Sequence, residues 1–74
     1  MTFDYGKLRG KFKEVHLTQA QIAEIIGISA ASMSEKLNGK SDFSHSEIIS
    51  ICGTLKIPAK EIGTYFFTPE VKEA

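Results

Sequence analysis

The stretch TQAQIAEIIGISAASMSEKLNGK, Thr18 to Lys40, decides the fold. Thr18 has the side chain of a helix N-cap. Gln21, three residues on, can reach back to the Thr18 N–H as in a capping box. Ile22, Ala23 and Ile26 then fall on one helical face. Gly27 ends that helix, because only glycine takes the left-handed conformation at no steric cost. Ile28 is the apolar residue of the turn. Ser29 caps a second helix, whose Met33 and Leu37 share a face at i, i+4. Asn38 and Gly39 close it. Two short helices joined so tightly cross steeply and bury one side each. That is a helix-turn-helix over about residues 18–38, with the outer face of its second helix free to enter a DNA major groove.

Outward from this unit, the pattern remains helical. Helix 1 is expected from about Asp4 to Val15, where Tyr5, Leu8, Phe12 and Val15 form a buried stripe. Its other side carries Lys7, Arg9, Lys11 and Lys13. Ser44-His45-Ser46-Glu47 is a second capping-box pattern. It opens helix 4, which runs to about Leu55 with Ile48, Ile51, Cys52 and Leu55 inward. Pro58 fits the first position of a fifth helix, with Ile62 inward and Gly63 near its end. The tail Tyr65-Phe66-Phe67-Thr68-Pro69 is rich in β-formers and is expected to be extended. The reading is one all-α, five-helix domain over residues 1–74, without repeats, linkers or low-complexity segments.

Composition narrows the function. The formal net charge is zero, which is unusual for a DNA binder. The halves differ, however. Residues 1–40 hold six basic and four acidic side chains, a net +2, and residues 41–74 hold three and five, a net −2. The basic half contains the helix-turn-helix. Cys52 is the single cysteine and sits among aliphatic residues, as a small core residue does. His16 and His45 are far apart, with no Cys, Asp or Glu at ligand spacing, so no metal site is expected. No Gly-rich phosphate loop or carboxylate pair is present, and neither histidine is placed to activate a serine. The chain is read as a non-enzyme without cofactors. No apolar run spans a membrane and the start MTFDYGKL is too polar for a signal peptide, which places the protein in the cytoplasm.

The run Thr18-Gln19, Ala23, Gly27-Ile28-Ser29, Met33 and Asn38-Gly39-Lys40 resembles the phage repressor and Cro-type (XRE-like) helix-turn-helix family. The opening FDYGKLRGK and the closing IGTYFF extend the likeness to small phage Cro-like regulators over the whole chain. The chain departs from many relatives at Lys36, where they carry a core aliphatic and where Leu37 here takes the apolar role. The resemblance implies a phage or prophage repressor that binds double-stranded operator DNA as a homodimer, near the host nucleoid. It implies a DNA-contacting set of Gln19, Ser29, Ala30, Ala31, Ser34, Glu35, Lys36, Asn38 and Lys40. In that set Gln19 holds a phosphate at the start of helix 2. Ala30 and Ala31 touch thymine methyls, Ser34 bonds base edges, and Glu35 accepts from cytosine N4. Lys36 and Lys40 flank phosphates, while Asn38 has a competing role at the helix end. Tyr65, Phe66 and Phe67 either finish the core or form the dimer interface. The set lacks Arg, Asn and Gln as base readers. That gap, with the zero net charge and Glu35, supports an alternative: an antirepressor or modulator that binds a partner phage repressor's DNA-binding domain.

Overall fold

The computed structural model describes residues 3–70. Five α-helices follow in order: α1 Gly6–Glu14, α2 Gln19–Ile26, α3 Ala30–Leu37, α4 His45–Leu55 and α5 Ile62–Phe66, the last entered through a 3₁₀ turn at Ala59–Glu61. Among the described residues there is no β-strand, only an isolated antiparallel bridge between Phe3 and Pro69.

The bounds of α2, α3 and α4 follow from their caps. The Thr18 hydroxyl accepts the Gln21 N–H at 3.1 Å, and Gln21 Oε1 accepts the Thr18 N–H at 2.8 Å. Ser44 and Glu47 repeat this reciprocal pair at 3.2 and 2.7 Å, and Ser29 Oγ accepts the Ser32 N–H at 3.0 Å. Each cap satisfies an N–H that the helix itself leaves unpaired. Gly27 has φ +85°, and beyond it the Ile28 N–H bonds the Ala23 carbonyl at 2.9 Å, which turns the chain directly into α3.

Helix α1 starts two residues later than the pattern predicts. Asp4 donates its N–H to the Thr68 carbonyl at 2.7 Å, and its carboxylate accepts the Gly6 N–H at 2.8 Å. Phe3 and Asp4 therefore pair with Pro69 and Thr68 instead of coiling.

The fifth helix also differs from the expectation. Pro58 precedes the 3₁₀ turn, Gly63 lies inside α5, and Tyr65 and Phe66 are helical rather than extended. The extended segment begins only after Phe67. The cause is burial: Phe66 is 1% exposed, and its ring meets that of Phe43 edge to face at 5.5 Å. Winding the chain through Phe66 delivers that ring to the core.

α2 packs against both α3 and α4, and α1 against α5. Leu8, Ile22, Met33, Ile51 and Phe66 are the largest fully buried side chains. Cys52 is a buried free thiol, as its aliphatic setting indicated, and burial pushes its pKa up. No helix among the described residues is long and apolar enough to cross a membrane.

Candidate interaction surface around the helix-turn-helix

Helix α3 buries Met33 and Leu37 and turns Ala30, Ala31 and Glu35 to solvent. Ala31 and Glu35 are one turn apart and share a face. Gln19 is exposed at the first position of α2, and Lys40 is exposed beyond α3. These five residues remain available to a partner.

The other four residues of the expected DNA-contacting set have internal engagements. Ser29 spends its hydroxyl on the cap of α3. Ser34 is half-buried, and its Oγ accepts from Asn38 Nδ2 at 3.4 Å. Asn38 sits at the helix end, where its Oδ1 accepts the Arg9 guanidinium at 2.9 Å. Of the two roles open to Asn38, the structure supplies the helix-end one.

Lys36 departs furthest from the expectation. Its Nζ donates to the Asp42 carbonyl at 3.0 Å and pairs with Glu47 Oε1 at 3.2 Å. The two charged side chains are only 14% and 16% exposed. The capping box of α4 fixes the Glu47 carboxylate on this side, and the lysine is drawn inward to it. The Ser44 N–H holds the Glu47 carboxyl below its ordinary pKa, against an opposing effect of burial, and Lys36 adds to the lowering. An ammonium engaged in this way is not free for a phosphate, so α3 presents no uncommitted cation of its own.

Arg9 is the residue that sequence reasoning missed. The pattern places it on the outer side of helix 1. In the structure its Nη2 donates to the Leu37 carbonyl at 3.1 Å as well as to Asn38, tying α1 to the C-terminal end of α3. A cation there also complements the helix dipole. Its Nε is buried without a partner among the described residues. The contact spans 28 positions, so no local pattern could have signalled it.

The aromatic trio expected either to finish the core or to form a dimer contact is divided. Phe66 belongs to the core, Tyr65 is half-buried, and Phe67 is 49% exposed. A contact through all three rings is therefore corrected: Phe66 cannot reach a partner.

The fold and this surface define a small helical protein built on a helix-turn-helix whose second helix is electrostatically poor. The chain belongs to the family described as "Protein of unknown function (DUF739)", whose model matches residues 1–69. No curated protein matches it. Among solved structures, it is similar to the solution structure of the modulator of repression (MOR) of the temperate bacteriophage TP901-1 from Lactococcus lactis. The two are 35% identical, with 97% of each chain covered and a TM-score of 0.77. The phage likeness read from the sequence thus meets a phage regulator, while the Cro reading has no counterpart in these matches.

Proposed function

We propose that this protein is a modulator of a phage repressor, acting in the bacterial cytoplasm by binding the repressor's DNA-binding domain and thereby keeping it off its operator. The observation that carries this reading is the state of α3. Its single lysine is committed to Glu47 and Asp42, and its exposed face ends in Glu35. Specific DNA binding draws much of its affinity from cations that displace counterions at the phosphates. A helix presenting two alanine methyls and a carboxylate is ill suited to that task. The zero net charge agrees, as does the similarity to a protein described as a modulator of repression.

The reading is tested by operator release. A repressor–operator complex is formed on labelled DNA, and this chain is added at increasing concentration. Release of the DNA, with no band shift by this chain alone, is the expected result. A shift by this chain alone, leaving the repressor complex intact, would restore the DNA-binding reading.

A further inference from the structure

We propose that the cleft between the N-terminal segment, the loop after α3 and the end of α5 is the docking site for a basic side chain, arginine or lysine, of the partner protein. This rests on the proposed function and names the face that meets the repressor.

The floor of the cleft is aromatic. Tyr5, Phe43 and Phe66 stack edge to face in a row, with centroids 5.4 and 5.5 Å apart. One wall is the Phe3–Phe67 pair, also edge to face, at 5.5 Å. The cavity is about 330 Å³, room for one long side chain. Asp42 stands at its rim and is exposed. Lys36 takes the Asp42 carbonyl oxygen and leaves its carboxylate without an ion pair among the described residues. That charge is felt in the cleft: after burial, it is the second cause that raises the Tyr5 pKa.

The surroundings have the same sign. A second cleft of about 540 Å³ continues from Phe3 and Tyr5, with Asp4 in its lining. Among the described residues no lysine lines either cleft, and the cation that does, Arg9, already donates to Leu37 and Asn38. Aromatic faces beside an unpaired carboxylate are the chemistry that receives arginine or lysine. The methylenes lie against Phe3 and the half-exposed Phe67, the buried rings close the floor behind them, and the Asp42 carboxylate takes the charged head. A DNA-binding domain carries such side chains outward because phosphates demand them. The partner's chemistry is thus complementary to this cleft, and a phosphate backbone would be repelled by it.

The test is calorimetric titration of the full chain with the DNA-binding domain of its phage repressor, at low salt. Phe67→Ala and Asp42→Lys should each weaken binding about tenfold or more, as anchor positions do. Glu35→Lys, on the outer face of α3, should change it less than about twofold. Circular dichroism checks that each variant folds. If Phe67→Ala does not fold, Asp42→Lys decides alone, since it alters an exposed side chain. Wild-type affinity for both folded variants, with a loss in Glu35→Lys, would place the interface on α3 and overturn the docking site while the modulator reading stands. If the unmodified chain binds no repressor, both fall together.

Discussion

At the residue scale, the turn between α2 and α3 depends on Gly27. Its φ of +85° lies in the left-handed region, and a Cβ built there would meet nothing within 4 Å. A substitution at this position is therefore strained by the backbone alone, with no steric clash to add. A β-branched residue fares worst, and an asparagine, which tolerates this conformation, fares best. We expect Gly27→Val to cost more than about 1 kcal/mol. That is a fall in melting temperature of at least about 4 °C for a domain of this size. Gly27→Asn should lose clearly less. Equal melting temperatures for wild type and the valine variant would show that the turn carries no such constraint.

At the element scale, the junction of α3 with α4 rests on the Lys36–Glu47 pair and on the Ser44 N–H. The Glu47 carboxyl has a folded pKa below its ordinary value. The stability this contributes is fully present above the unfolded pKa. It is lost as pH falls through the folded pKa, when the carboxylate protonates and releases its partners. Glu47→Gln removes this dependence. In urea unfolding between about pH 6 and pH 3, the wild type should lose more stability than the glutamine variant, and the two curves should converge at the acid end. Parallel curves would show that the pair contributes nothing in solution. The caps that define these elements were legible in the sequence, because Thr18–Gln21, Ser29 and Ser44–Glu47 act within three residues of themselves. The partners of Lys36 and Arg9 were not. Asp42 and Glu47 lie across a loop, and Leu37 and Asn38 belong to a different helix from Arg9, so only the packed arrangement brings them together. The five available residues of the expected surface were correctly placed outside; the charge state of that surface was the illegible part.

At the scale of the whole molecule, a 74-residue chain has a small core, and single aromatic rings weigh heavily in it. The row Tyr5–Phe43–Phe66 joins the N-terminal segment, the loop before α4 and α5. Sequence patterning left Phe66 between core and interface, since composition alone does not say which ring of three the packing will take. We expect Phe66→Ala to cost about 3–5 kcal/mol, comparable to the whole stability of so small a domain. Helical circular dichroism should be largely lost at 25 °C or restored only by stabilising salts. Deleting residues 65–74 should have the same effect, because it removes this ring. A folded Phe66→Ala variant melting near the wild type would contradict the core assignment.

The central claim is that this protein meets a repressor rather than DNA. Fluorescence anisotropy of the labelled chain tests it directly. The chain is titrated in parallel with the repressor's DNA-binding domain and with operator duplex, each at low and at moderate salt. We expect saturable binding to the protein domain and none to the duplex at either salt. Binding to the duplex that weakens steeply with salt, with no response to the repressor domain, would contradict the account.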